Sequence, residues 1–368
     1  DGNFDCGVMI TASHNPFTDN GIKLVDRQGR KLDDRTLSLV ERYLDGDTES
    51  LGCDGELPLA RREEIGRIVD YVAGRNRYVG YLISLASHSY REMKIGLDCA
   101  NGASWMIAKA VFEALGARTY VMGTAPNGLN VNDGCGSTHI DALRKFVLEN
   151  HLDVGFAFDG DADRCIAVDE RGQTVDGDCI LYILATRLAA RGALGGNTVV
   201  CTVMSNSGLF KSLEAAGIRS EQTAVGDRFV YECMQQNGYS LGGEQSGHII
   251  LRKYATTGDG LLTAIMLAEE MRDRKASLSQ LAAPVLLYPQ TVRSIRVTDK
   301  SAAMNDPIIR AEFDAVNREI GGNGRALLRA SGTEPVLRIM LECETEALCS
   351  SFTDRIADVI RKRGYCCE

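Results

Sequence analysis

The run Val154-Gly155-Phe156-Ala157-Phe158-Asp159-Gly160-Asp161-Ala162-Asp163-Arg164-Cys165-Ile166-Ala167-Val168 holds two short apolar segments with an acidic turn between them. Segments of this length predict two buried strands joined by a tight loop. Asp159, Asp161 and Asp163 occupy alternate positions. In extended chain, alternate side chains point the same way, so the three carboxylates converge. Like charges that close are costly unless a cation neutralises them, and an all-oxygen donor set suits a hard ion such as Mg²⁺. Two plainer readings compete. An EF-hand loop would use Asp159, Asp161, Asp163 and Glu170, but it requires a glycine where Arg164 stands and helices where strands are predicted. A solvated acidic turn explains the local sequence equally well, so the rest of the chain has to decide.

At 368 residues the chain exceeds one ordinary core, and two to four domains are expected. Its 50 acidic against 41 basic residues give a net charge of -9, which argues against a nucleic-acid surface. No apolar stretch approaches the roughly 18 residues that span a bilayer. Twelve cysteines form no Cys-x-x-Cys pair, so zinc and redox motifs have no support. Reduced, buried thiols of a cytoplasmic protein are expected instead. The chain opens without Met and meets an apolar run at Phe4, so a further upstream segment is expected.

Residues 4–12 read as a buried strand from their β-branched content, followed by the polar loop Ser13 to Gly21 and a strand over 22–25. Helices are predicted over 33–44 and 68–85. From Lys94 the pattern alternates, with strands over 94–99, 119–122 and 154–158 and helices over 105–115 and 140–150. Such alternation implies right-handed βαβ units around a mainly parallel sheet. The grammar recurs with helices over 180–191, 209–216, 228–236 and 261–272 and strands over 198–204, 222–225 and 249–251. Beyond Pro284 to Pro289 a smaller module is predicted, with a strand over 291–297, a helix over 307–320, a hairpin of 326–329 with 336–342, and a last helix over 345–361. The expected fold class is α/β: three similar mixed α/β domains plus a smaller α+β C-terminal domain, around a central cleft. The bounds are placed at 1–75, 76–168, 169–285 and 286–368.

Each part carries one polar loop between apolar strands, and ligands of α/β sheets bind at strand ends. The first loop offers a hydroxyl, Ser13, beside His14, with Lys23 downstream. Alone this is weak, because most Ser-His neighbours on a turn are structural. The second is the acidic loop with Arg164. The third, Gly243 to His248, sets Glu244, Ser246 and His248 among glycines. A polyol matches it, since a carboxylate accepts two hydroxyl hydrogens; a bulged hairpin is the plainer account. The fourth supplies Arg329, Ser331, Thr333 and Arg338 with backbone N–H groups near Gly332, a phosphate cradle in type. It lacks the Lys and spacing of a Walker A loop, and nothing fits G-x-G-x-x-G before a helix, so nucleotide chemistry is not expected.

Together, Thr11-Ala12-Ser13-His14-Asn15-Pro16, Asp159-Gly160-Asp161-Ala162-Asp163-Arg164, Gly243-Glu244-Gln245-Ser246-Gly247-His248 and Arg329-Ala330-Ser331-Gly332-Thr333-Glu334-Pro335 resemble the four signature loops of the α-D-phosphohexomutase family, in the family's order. Gln245, Cys135-Gly136-Ser137-Thr138-His139 and Val225-Gly226-Asp227-Arg228 are most similar to its bacterial phosphoglucosamine mutase branch. The resemblance implies a reversible phosphoryl shift between the 6- and 1-positions of glucosamine phosphate, through a phosphorylated Ser13 and a 1,6-bisphosphate that serves as intermediate or activator. It implies one Mg²⁺ on Asp159, Asp161, Asp163 and the Ser13 phosphate. Ser13, His14, Lys23 and Arg164 become the catalytic set, with Lys23 as proton handler and His14 and His248 as helpers. Glu244, Ser246, His248, Gly226, Asp227, Arg329, Ser331, Gly332, Thr333 and Arg338 become the substrate set. A hexosamine phosphate is the expected partner, without nucleic acid or membrane, and a homodimer is the assembly entertained.

Three alternatives stay open: a phosphomannomutase or phosphoglucomutase of the same mechanism, a non-catalytic phosphosugar sensor, and a metal phosphatase. Two departures from the family pattern stand out. Ala162 replaces a usual glycine, which is tolerable only with a negative φ. The family's chains also extend upstream of the serine loop, so the first domain is expected to be incomplete here.

Overall fold

The computed structural model describes residues 4–49, 51–52, 59–331 and 335–366. It divides into two compact units, residues 1–202 with 221–282 and residues 203–220 with 283–368.

The first unit opens on an antiparallel pair, β1 (Cys6–Ile10) and β2 (Ile22–Asp26), with Ile10 opposite Ile22. The expectation of a buried first strand is not met: Val8, Ile10 and Ile22 are 61%, 75% and 69% exposed. Among the described residues β1 and β2 form a two-stranded sheet, extended only by a bridge from Val25 to Lys31. β-branched content sets strand propensity, whereas burial needs a covering layer. Helix α1 (Asp34–Leu44) is N-capped by Asp33, whose carboxylate accepts from the Thr36 N–H. Helix α2 (Val72–Ser84) starts later than predicted, leaving Ile68 and Val69 exposed.

A five-stranded sheet follows. Its members are β3 (Lys94–Asp98), β4 (Arg118–Met122), β5 (Val154–Phe158), β6 (Cys165–Asp169) and β7 (Thr174–Val175), flanked by α3 (Ala108–Ala114) and α4 (Ile140–Asn150). The order is β4-β3-β5-β6-β7. β3 lies parallel to β4 and β5, while β5, β6 and β7 run antiparallel. The sheet is therefore mixed and not mainly parallel as expected. The acidic loop is too short for a crossover, which needs a dozen residues or more, so β5 and β6 must form a hairpin. Both flanks of the acidic loop are strands, with every residue buried, and their strand conformation rules out the helical flanks of an EF-hand.

The next α/β layer contains α5 (Gly177–Ala190), β8 (Thr198–Thr202), β9 (Arg219–Thr223), α7 (Asp227–Asn237), β10 (Leu241–Gly243), β11 (Ile249–Leu251), α8 (Gly260–Arg274) and α9 (Leu278–Ala282), with α6 (Ser207–Ala215) between β8 and β9 in sequence. Its sheet order is β11-β10-β8-β9. Helix α8 is buried on nearly every face from Gly260 to Met271, as its long apolar run requires.

In the second unit, β12 (Gln290–Arg296), β14 (Val336–Glu342) and β13 (Arg325–Ala330) form an antiparallel sheet in that order. Helices α10 (Lys300–Asn305), α11 (Pro307–Ile320) and α12 (Glu346–Lys362) complete it. The core gathers Ile295, Ile309, Val316, Leu337, Ile339, Ile356 and Ile360. Helix α6 belongs to this unit: the buried Glu342 carboxylate accepts from Ser207 N–H at 3.0 Å, Ser207 Oγ at 2.6 Å and Arg325 Nε at 3.0 Å. The architecture is three mixed α/β domains followed by a smaller α+β module. The described cysteines are all free thiols.

Candidate active site

The serine loop and the acidic loop meet directly. Ser13 Oγ donates to Asp159 Oδ2 at 2.8 Å, and Gly160 N–H donates to the Ser13 carbonyl at 3.1 Å. A Cβ on residue 160 would lie 2.6 Å from that carbonyl, so the approach depends on glycine. Ser13 itself has φ of +53°, and its N–H is held by Thr11 Oγ1.

Asp159, Asp161 and Asp163 each bring a carboxylate oxygen within 4.8 Å of the others. Asp159 is wholly buried; burial first, then the charges of Asp163 and Asp161, push its pKa up to about 7. Burial acts on Asp163 in the same sense, yet the hydrogen bond and charge of His248, with Lys23 and Arg164, hold its carboxyl well below the usual range. Lys23 Nζ lies 2.5 Å from Asp161 Oδ2 and 3.3 Å from Asp163 Oδ2. Burial opposes its ammonium, but those two carboxylates outweigh that and raise its pKa. Asp161 Oδ1 and Asp163 Oδ1 are buried and have no hydrogen-bond partner among the described residues. Two orphaned carboxylate oxygens beside a third carboxylate fit a hard divalent cation. Ala162 has φ of +62°, so the expected negative φ is corrected. Ala162 closes the turn, its N–H donating to the Asp159 carbonyl at 3.0 Å, and its own carbonyl accepts from Gly260 N–H at 2.9 Å.

Arg164 closes the loop, its N–H donating to Asp159 Oδ1 at 3.1 Å and its Nε lying 3.9 Å from Asp159 Oδ2. His14 is half-buried; burial, then the Arg164 charge, lower its pKa. Its Nδ1 is buried without a partner among the described residues.

The third loop splits by exposure. Ser246 is exposed and Glu244 half-buried, whereas His248 is only 3% exposed. Glu244 Oε1 accepts from Gly226 N–H at 3.1 Å, joining the third loop to the Val225–Arg228 turn. Asp227 accepts from Lys31 Nζ at 2.7 and 2.6 Å. His248 Nδ1 lies 3.5 Å from Asp163 Oδ2, and Nε2 lies 3.5 Å from Asp227 Oδ2 and accepts from Gly258 N–H at 3.0 Å. A 510 Å³ cavity is lined by Lys23, Asp161, Asp163 and Asp227 but not by Ser13, Glu244 or Ser246.

In the second unit Arg329 and Arg338 stand directly opposite each other on β13 and β14. Like charges in that register are unfavourable without an anion to share. Ser331 is buried, and its carbonyl accepts from Lys300 Nζ at 2.7 Å. Gly332 and Thr333 lie outside the described residues.

Sequence reasoning missed Asn132. Its Nδ2 donates to the carbonyls of Ser13 at 2.8 Å and Asn15 at 2.9 Å, clamping the serine loop from 119 and 117 residues away. Nothing in Asn130-Val131-Asn132-Asp133-Gly134 distinguishes it from an ordinary turn residue.

Models of the phosphoglucomutase/phosphomannomutase family match along the chain: alpha/beta/alpha domain I over residues 1–50, domain II over 76–172, domain III over 176–287 and the C-terminal domain over 294–359. The chain is 55% identical to a phosphoglucosamine mutase of Lachnospira eligens, over 98% of this chain and 79% of that protein. It is 51% identical to one of Lachnoclostridium phytofermentans, over 98% and 80%. The fold is similar to that of Aspergillus fumigatus N-acetylphosphoglucosamine mutase in complex with GlcNAc-6P and magnesium, with TM-score 0.77 and 18% identity over 97% of this chain and 89% of that one. With its four domain models in order and half its residues shared with these relatives, the chain belongs to the phosphohexomutase family, in the phosphoglucosamine mutase branch.

Proposed function

We propose that the chain interconverts glucosamine 6-phosphate and glucosamine 1-phosphate by way of a phosphate carried on Ser13. The observation that carries this reading is the 2.8 Å bond from Ser13 Oγ to Asp159, which sets a nucleophile on the edge of a carboxylate trio. A pure binding protein has no use for that hydroxyl.

Asp159, Asp161, Asp163 and an oxygen of the Ser13 phosphate are the groups that would hold Mg²⁺, which when bound neutralises charge on the transferring phosphoryl group. Lys23 adds a fixed positive charge beside Asp161 and Asp163 and, held protonated, serves as a proton donor. His14, favoured as the neutral ring, serves as the acceptor. Arg164 steadies Asp159. Exposed Ser246 and the Glu244 carboxylate, with Gly226 and Asp227 behind it, read the sugar hydroxyls. Arg329, Ser331, Gly332, Thr333 and Arg338 take the phosphate that is not reacting.

The 1-hydroxyl of the substrate attacks the phosphorus on Ser13. A P–O1 bond forms, the Oγ–P bond breaks, the hydroxyl proton goes to the base, and Ser13 Oγ is reprotonated. The resulting 1,6-bisphosphate reorients. Ser13 Oγ then attacks the 6-phosphorus: an Oγ–P bond forms, the P–O6 bond breaks, the Ser13 proton goes to the base and O6 takes a proton, restoring phosphoserine and releasing the 1-phosphate with no net loss of phosphate. Among the described residues no helix is long and apolar enough to cross a membrane, and the free buried thiols fit a cytoplasmic enzyme. A homodimer is the proposed assembly, and light scattering tests it.

The test uses phosphorylated chain with glucosamine, glucose and mannose phosphates in competition, alongside mass spectrometry of Ser13. The reading expects the highest kcat/KM on glucosamine phosphates and a Ser13 phosphate chased by substrate. Preference for mannose or glucose phosphate, or net release of inorganic phosphate, would overturn it.

A further inference from the structure

Asp98, the last residue of β3, is wholly buried, and its carboxylate is bonded to backbone on both oxygens. Oδ1 accepts from Ala100 N–H at 3.0 Å and Oδ2 from Gly136 N–H at 2.7 Å. One side chain therefore ties the turn after β3 to a loop 38 residues further on. A buried carboxylate is costly unless it is hydrogen-bonded, and two main-chain donors meet that need here. Both partners lead on to the serine and acidic loops. The Ala100 carbonyl accepts from Asn132 N–H at 2.9 Å, and Asn132 is the clamp on the carbonyls of Ser13 and Asn15. Beside Gly136, Ser137 N–H donates at 2.8 Å to the carbonyl of Phe158, the residue just before Asp159.

The backbone around Asp98 is strained and closely fitted. Ala100, Asn101 and Asn132 have φ of +52°, +49° and +57°, which residues with a Cβ keep only where their surroundings over-determine them. Gly136 has φ of +80°, and a Cβ there would lie 2.7 Å from both Ala100 Cβ and the Phe158 carbonyl. The same sheet holds a second carboxylate of this kind. Asp169, 3% exposed at the end of β6, accepts from Arg171 N–H at 2.9 Å and Gln173 N–H at 2.7 Å. It stands opposite Val154, the first residue of β5, whereas Asp98 stands beside Ala157, next to the last. The two carboxylates occupy opposite ends of the sheet, and Asp98 is at the end where Ser13 meets Asp159.

We propose that Asp98 is a positioning residue for phosphoryl transfer at Ser13: it fixes the loop that carries Asn132 and Ser137, and that loop sets the serine loop against the base of the acidic loop. Asp98 touches neither the substrate nor the reacting atoms. Its effect is on distance, and a shift of about 1 Å made far from the chemistry costs on the order of 100-fold in rate. The inference rests on reading Ser13 as the phosphate carrier.

The test compares Asp98→Ala with Asp169→Ala in the full, phosphorylated chain, at a temperature where melts show both folded. Each substitution leaves two backbone N–H groups without their acceptor and should lower the melting temperature to a similar extent. With glucosamine 6-phosphate, Asp98→Ala should lower kcat about 100-fold and leave KM within about threefold of the parent. Asp169→Ala should leave kcat and KM both within about threefold. Asp98→Asn keeps one of the two bonds, serves where the Ala variant does not fold, and should lose kcat in the same sense but less. Added to Asn132→Ala, the Asp98 change should cost little more, because residues acting through one loop are not additive. Parent-like kcat in a folded Asp98 variant would overturn the positioning role, as would an equal loss in Asp169→Ala or independent effects of Asp98 and Asn132. A parent chain that holds no phosphate on Ser13 and turns nothing over would instead remove the reading beneath it, and the positioning role with it.

Discussion

Ser13 Oγ donates to Asp159 Oδ2 at 2.8 Å across 146 residues of sequence, joining the proposed nucleophile to the most buried of the three aspartates. Replacing Ser13 with Ala removes the phosphate carrier and one hydrogen bond. Turnover should fall on the order of 10⁴-fold or more, while stability drops by only about 1 kcal/mol. A coupled activity assay and a denaturant melt read the two effects. The same bond predicts that a phosphate on Ser13 adds a ligand to the trio. Mn²⁺ should therefore bind the phosphorylated chain more tightly than the dephosphorylated one, and equal affinities would separate the two loops.

Asn132 holds the serine loop by two bonds to its backbone carbonyls. Asn132→Asp keeps the shape but turns the donor into an acceptor facing two acceptors. It should cost about 1–3 kcal/mol and lower kcat more than it raises KM, because the sugar-reading groups are untouched. Steady-state kinetics with a thermal melt would show this, and an unchanged kcat would reduce Asn132 to a folding residue.

Lys23 is the counter-charge of Asp161 and Asp163. In metal-free protein, Lys23→Met should cost about 1–3 kcal/mol, as expected for charge-assisted hydrogen bonds at a half-buried site. Adding Mg²⁺ should recover most of that loss, because the ion supplies the missing positive charge. Melts with and without Mg²⁺ measure the difference, and equal losses in both would show that Lys23 stabilises by packing alone.

Ala162 sits at φ of +62°, where a Cβ is strained. Ala162→Gly relieves a left-handed penalty of roughly 1–2 kcal/mol and loses roughly 0.5–1 kcal/mol to glycine's extra chain entropy, so stability should rise by up to about 1 kcal/mol, read as a higher denaturant midpoint at unchanged slope. Metal affinity should not fall, since the backbone already has the conformation glycine prefers.

Much of the site was legible, though from no single loop. The alternate aspartates, the Ser13-His14 pair and the Gly243 to His248 loop each have a plainer local account and became a candidate site only when read together, whereas the helix over 140–150 and the strand over 154–158 appear where periodicity put them. Direction and burial were not legible. The six-residue turn between β5 and β6 forces an antiparallel pair that strand-helix alternation disguised. Val8 and Ile10 look like core and lie exposed, because a residue's type does not say what packs on it.

By itself the sequence determined which donors and acceptors the chain owns, since spacing along one strand or one loop fixes which side chains can share a side. The tertiary structure alone decided which of them meet. Asp159 found Ser13, Asp163 found His248, and Asn132 found the serine loop over separations of 146, 85 and 119 residues. Contacts of that range are set by how sheets and helices pack, and no local pattern of residues encodes them.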